Sequence, residues 1–99
     1  MWIIPEIRKL GINGTTVKGF GSAGMNNVEW GAIAYEMSRF DGSITVLFNN
    51  HHGIGSAVVD QLGNEEQKAR LLKDTISMKK LFCFCLTEPD HGSDIAFGL

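Results

Sequence analysis

Ninety-nine residues, 43% apolar and 20% charged with twelve glycines and two prolines, make one small globular domain or part of a larger one and exclude a disordered or collagen-like chain. The formal net charge of −2 excludes the dense cationic face that nucleic acid requires. Pro5 and Glu6 break the opening apolar run, so neither a signal peptide nor a membrane span of about 20 apolar residues is expected. The expected location is intracellular.

In chain order, Trp2 to Leu10 is expected as a short helix with Ile3, Ile7 and Leu10 on one face, ended by Gly11 and Gly14. Thr15 to Gly24 is expected as a flexible, small-residue loop. Its Gly19, Gly21 and Gly24 match the dinucleotide spacing G-x-G-x-x-G. That chemistry needs a buried strand before the glycines and an acid about 20 residues on, closing a second strand. Thr15-Thr16-Val17-Lys18 is a poor strand, and Asp41 lies at the end of a helix. A nicotinamide-binding module is therefore set aside.

Asn26 to Phe40 is the clearest helix. Asn26 and Glu29 have capping-box spacing, and Trp30, Ile33, Ala34, Met37 and Phe40 form an apolar stripe. Trp30 and Phe40 are expected in the core. Ser43 to Leu62 reads as a longer helix, apolar on most sides through Ile44, Leu47, Phe48, Ile54, Val58, Val59 and Leu62. Gly53 and Gly55 weaken it and suggest close helix packing or an approaching ligand. His51 and His52, adjacent on a helix, diverge by about 100° and cannot easily share a metal ion. They are expected to cap, meet solvent or touch a substrate edge. Ser56 and Asp60 do not complete a triad with His51, because three groups on one helix do not converge on an oxyanion.

Gly63 then closes one helix and Asn64 opens the next, with Gln67 completing a capping box. Ala69, Leu72 and Ile76 are expected inward, Lys68, Arg70 and Lys73 outward, and Glu66 within reach of Arg70.

Leu81 to Leu86 is an apolar run of strand length. Alternation would put Leu81, Cys83, Cys85 and Thr87 on one face, and Phe82, Phe84, Leu86 and Glu88 on the other. Pro89 stops regular pairing, and Asp90-His91-Gly92-Ser93 supplies turn chemistry. Cys83 and Cys85 are too close in sequence to pair readily, and with His91 they make too few ligands for a metal; they are expected as buried, reduced, structural thiols. A strand that delivers a hydroxyl and loop N–H groups at its end suits a polar, planar ligand.

The stretch Leu86-Thr87-Glu88-Pro89-Asp90-His91-Gly92-Ser93-Asp94 resembles the L-T-E-P-x-x-G-S-D signature of the acyl-CoA dehydrogenase and oxidase flavoproteins. Gly63-Asn64-Glu65-Glu66-Gln67 is similar to the family's G-x-E-x-Q helix start. Gly19-Phe20-Gly21-Ser22-Ala23-Gly24 is similar to the G-Y-G-C-x-G loop of its glutaryl-CoA dehydrogenase and short-chain acyl-CoA oxidase branch. The resemblance implies a mainly α fold: residues 1–79 would be part of the N-terminal helical bundle, and residues 80–99 the first strand of the middle β-domain. It implies FAD as cofactor and an acyl-CoA thioester as substrate, whose α and β hydrogens are removed as proton and hydride. It also implies a homotetramer when full length, a mitochondrial, peroxisomal or cytosolic home, and no nucleic-acid or membrane partner.

Carried over position by position, Phe84, Cys85, Leu86, Thr87, Gly92 and Ser93 would contact the flavin, and Ser93 the acyl-CoA as well. Asp94 would fix the turn. No catalytic residue is expected here, since the family's carboxylate base falls beyond Leu99. His91 and Phe97 depart from the family's small residues. Thr45 and Val46 stand where glutaryl-specific relatives carry an Arg and a Ser, which argues against a glutaryl substrate. A non-catalytic helical interaction module is the alternative, in which exposed apolar helix faces dock a partner.

Overall fold

The computed structural model describes residues 2–94. Helix α1 spans Ile3–Lys9, α2 Asn27–Phe40, α3 Gly42–Phe48, α4 Ala57–Leu62 and α5 Glu65–Ile76, with a π-helical segment, Asn49–Ser56, joining α3 to α4. The expected helix over 43–62 is thus one continuous rod whose middle is widened.

The helix starts follow from capping. Asn26 Oδ1 accepts from the Val28 and Glu29 N–H groups at 2.9 and 3.0 Å, while Glu29 Oε2 accepts from the Asn26 N–H at 2.8 Å. Asn64 and Gln67 repeat the exchange at 2.9 Å in both directions. Each box satisfies N–H groups that the first helical turn leaves without partners. Asp41 ends α2 and, through a 2.9 Å bond from the Ser43 N–H, begins α3. The Ser43 hydroxyl first, and that N–H second, hold its carboxyl below the usual range.

Two apolar clusters hold the helices together. Ile7, Phe48 and Met78 form one, with Ile3, Trp30, Met37 and Ile44 packed against it; Val17, Leu72 and Ile76 form the other, with Val59. Trp30 lies 5.1 Å from Phe48, centroid to centroid. Several expectations about faces are corrected. Phe40 is 88% exposed and Leu10 is exposed, because each closes its helix where no second element covers it. Ala69 is exposed and Lys68 half-buried; Lys68 reaches Glu65 at 3.5 Å, and Glu66 forms no ion pair with Arg70 among the described residues.

The loop over 15–24 is also more than a flexible connection. Val17 is 1% exposed, and the Ala23 and Met25 N–H groups bond back to Asn13 and Thr15 carbonyls at 2.9 and 2.8 Å. Turns, rather than a strand, precede Gly19, so the dinucleotide spacing lacks its structural context.

The expected strand over 81–86 is not formed among the described residues. The run is apolar enough, but a strand exists only through ladder bonds to a neighbour, and no neighbouring strand is described. Its alternation survives in part: Phe82 and Leu86 are half-buried, whereas Leu81, Cys83, Cys85 and Thr87 are exposed, as is Phe84. No helix of the described residues is long and apolar enough to cross a membrane.

Candidate functional site

The candidate site is the stretch from Phe82 to Asp94, and its position is set from below by the π segment. Gly53 and Gly55 disfavour a regular α-helix there. The wider π turn brings both His51 and His52 inward, and both are fully buried. This corrects the expectation of capping or solvent-facing histidines. It holds because a π turn rotates less per residue than an α turn, so neighbouring side chains share the interior face.

His51 bridges two parts of the chain. Its Nδ1 accepts the Phe82 N–H at 3.0 Å, which places the proton on Nε2, and Nε2–H donates to the Thr75 carbonyl at 2.8 Å. Burial pushes its pKa down, and the Thr75 bond opposes that only in part, so the ring is neutral at pH 7. His52 Nδ1 accepts the Gly14 N–H at 3.3 Å. Burial first, and neighbouring His51 second, push its pKa down to about 3.

Gly55 completes the anchor. A Cβ there would stand 2.6 Å from Phe82 Cγ, so the ring can lie against the rod only over a glycine. Of the two readings open for this glycine, close packing is the one observed. The sequence carried a signal for His51: the apolar Phe48, Ile54 and Val58 around it leave little surface for a solvated pair.

Beyond Phe82 the chain comes to the surface. Cys83 and Cys85 are free and exposed, with sulfurs 3.7 Å apart, which corrects the expectation of buried thiols. Among the described residues no second layer covers that face of the segment. The Cys83 sulfur raises the Cys85 pKa, chiefly by hydrogen bonding, so this thiol is not an activated nucleophile. Phe84 and Thr87 are exposed, and Leu86 is half-buried. The backbone N–H groups of Leu86 and Thr87 and the Thr87 hydroxyl meet no partner among the described residues.

A pinned turn follows. The Glu88 N–H donates to the His91 carbonyl at 2.8 Å. Asp94 Oδ1 accepts the Gly92 N–H at 2.8 Å, and Asp94 Oδ2 lies 3.1 Å from His91 Nδ1. These contacts, the Gly92 bond foremost, hold the Asp94 carboxyl below its usual range. Asp94 therefore fixes the turn, as expected. Gly92 has no left-handed φ, and a Cβ would meet only Thr87 Cγ2, at an ordinary 3.9 Å. Nothing inside the described chain requires glycine there. Ser93 is exposed beside it. Phe97 lies outside the described residues.

Thr45, at the position that glutaryl-specific relatives fill with arginine, is buried and its Oγ1 accepts from the Ser38 hydroxyl at 3.1 Å. It serves the α2–α3 packing. No group of three or more metal-ligating side chains occurs among the described residues.

Comparison with known proteins matches residues 1–79 to the family model described as acyl-CoA dehydrogenase, N-terminal domain. An acyl-CoA dehydrogenase of Bacillus subtilis (strain 168) is 33% identical over 93 residues, covering 93% of this chain and 24% of its own. The mitochondrial isobutyryl-CoA dehydrogenase of Dictyostelium discoideum is 32% identical over 93 residues, with 93% and 22% covered. The crystal structure of glutaryl-CoA dehydrogenase from Mycobacterium smegmatis superposes with a TM-score of 0.88 at 36% identity, covering 97% of this chain and 25% of that one. The chain thus spans about a quarter of the length of the curated relatives it matches.

Proposed function

Because the chain belongs to the acyl-CoA dehydrogenase N-terminal domain family, we propose that it supplies helical scaffold and part of the cofactor edge of an FAD-dependent acyl-CoA dehydrogenase or oxidase. The oxidoreductase class rests on the three relatives named above, each of which carries the dehydrogenase name. In this reading residues 1–79 belong to the N-terminal helical domain. Residues 80–99 open the middle β-domain, and 81–86 becomes a strand when its neighbours are present.

The observation that carries the reading is the set of donors just before a pinned turn: the Leu86 and Thr87 N–H groups and the Thr87 hydroxyl, exposed and without partners among the described residues. That donor set fits the acceptor-rich edge of an isoalloxazine. When bound, the flavin accepts the hydride leaving the acyl chain, and protein donors at its edge stabilise the negative charge that arrives.

The roles of the side chains follow. Leu86 and Thr87 orient the edge, while Phe84 and Cys85 flank it. Gly92 admits close backbone approach, which accounts for a glycine that the chain's own packing does not need. Ser93 touches both cofactor and acyl-CoA. Asp94 holds the turn in place, and Glu88 and Asp90 stay out of the proton transfer, which belongs to a base beyond this chain. A homotetramer in mitochondria or peroxisomes fits the same reading; the Dictyostelium relative is named as mitochondrial. Thr45 offers no cation for a distal carboxylate, which argues against a glutaryl substrate.

The test uses the protein produced from the complete gene. It should purify yellow and lose that colour when acyl-CoA is added without air. Thr87→Val should lower retained flavin severalfold with the helical circular dichroism unchanged. A folded, colourless full-length protein that ignores acyl-CoA would sink the proposal.

A further inference from the structure

A second site lies where α1, the glycine-rich loop and the end of α5 meet. Arg8, Lys73 and Lys79 line an open pocket of about 390 Å³ together with Phe20, Gly21 and Ser77. No carboxylate lines it, although the chain as a whole is net acidic. None of the three cations forms an ion pair or a side-chain hydrogen bond among the described residues, whereas Lys9 pairs with Glu6 and Lys80 with Asp74, both at 2.8 Å. Asp74, whose carboxyl also feels Lys79 and Lys73, is held by Lys80.

Cations near helix C-termini commonly complement the helix dipole. Here that role is largely filled by other groups. The carbonyls of Lys73, Asp74 and Thr75 accept from the Ser77, Lys79 and Met78 N–H groups at 3.3, 2.9 and 2.8 Å, and the Arg8 carbonyl from Asn13 Nδ2 at 3.4 Å. The three cationic residues are left lining an open volume.

The loop adds an independent sign. Phe20 holds φ +54° between Gly19 at +82° and Gly21 at +83°. An L-residue with a bulky ring resists the left-handed region, and such outliers gather at ligand clamps. The conformation leaves the ring 39% exposed at the pocket wall, and the Gly21 N–H meets no acceptor among the described residues.

We infer that this pocket binds a diphosphate-bearing small molecule, a nucleoside diphosphate, with the phosphates held by Arg8, Lys73 and Lys79 and the base against Phe20. Three cationic residues around one pocket match a polyanion, an aromatic face accepts a planar base, and the volume suits a small ligand. The pocket shares no residue with the stretch from Phe82 to Asp94, so it stands or falls apart from the flavin reading.

Calorimetric titration of the protein produced from the complete gene tests it at low salt, with inorganic pyrophosphate and ADP as probes. Both should bind saturably, ADP several-fold more tightly. The double variant Arg8→Gln/Lys73→Gln should weaken both at least tenfold, and Lys79→Gln alone at least threefold. Lys9→Gln/Lys68→Gln, which removes the same charge elsewhere, should change neither by more than twofold. Phe20→Gly, which also relieves the backbone, should bring ADP to the pyrophosphate value. Absence of saturable binding, or an equal loss in the Lys9/Lys68 control, would overturn the site; equal affinity for the two probes would overturn the role of Phe20.

Discussion

His51 and His52 lie wholly inside the chain, whereas Thr87, Ser93 and Asp94, five to twelve positions beyond Phe82, stand in solvent. Both regions are polar interruptions of apolar surroundings. In the first, His51 has both ring nitrogens engaged by backbone groups distant in sequence, Thr75 and Phe82. In the second, the bonds close within a few residues, and the donors of Leu86 and Thr87 remain open. The His51 ring is buried and matched over long range, while His52 has only its Nδ1 engaged, by the Gly14 N–H. The open donors stand exposed beside a turn closed by its own local bonds, so the ligand proposed above would not have to break an internal bond to reach them.

The largest test of that contrast is His51→Leu. It leaves the Phe82 N–H without an acceptor and removes the donor to Thr75, so unfolding in urea should register a loss of about 3 kcal/mol. Gly55→Ala sets a methyl group against the Phe82 ring and should cost about 2 kcal/mol by overpacking; it should also free the 81–86 segment to exchange its amide hydrogens. An unchanged denaturation midpoint in either variant would dissolve the anchor.

Acidity separates the regions next. His52 stays neutral in the native chain, with its pKa lowered to about 3 from a reference of 6.5. The unfolded chain takes up a proton that the native chain refuses, so stability falls as pH drops below 6.5. That fall should amount to about 2 kcal/mol by pH 5 from His52. Asp41, Asp74 and Asp94, all lowered, withdraw their support only at still lower pH. Chemical denaturation at pH 7 and pH 5 should show the fall, and His52→Phe should remove the His52 share while the part due to His51, lowered by burial as well, remains.

The smallest effect belongs to the second region. Asp94→Ala should leave the denaturation midpoint where it is while shifting the amide resonances of His91 and Gly92. A global loss of stability would show that the turn belongs to the scaffold after all.

The capping boxes at Asn26 and Asn64 were legible in the sequence because a cap depends on residues three apart. The cores around Leu72 and Ile76 were legible from helical spacing, and the turn at Asp94 from a short polar cluster. The inward histidines were not, since an α-helical angle per residue was assumed and the π turn breaks that assumption. Val17 was hidden for a related reason: no periodicity marks a buried residue in an irregular loop. Cys83 and Cys85 read as buried because strand alternation presumes a covering layer, which the described residues do not provide. The resemblance carried by Leu86 to Asp94 lies beyond the span of the matched family model, residues 1–79, so the domain assignment and the candidate site rest on different parts of the chain.

The π segment has a last consequence, for length. The Ala57 N–H reaches back five residues to the His52 carbonyl, one more than an α-helix spans. A wider turn takes up one extra residue while the helix beyond it keeps nearly the same facing. Removing a single residue there, exposed Asn50 for instance, should therefore let the rod relax into a regular α-helix with Val59 still at the Leu72 cluster. His51 and His52 would then diverge by about 100° and no longer share the interior face. The rod should survive that deletion folded, with the anchor on Phe82 lost.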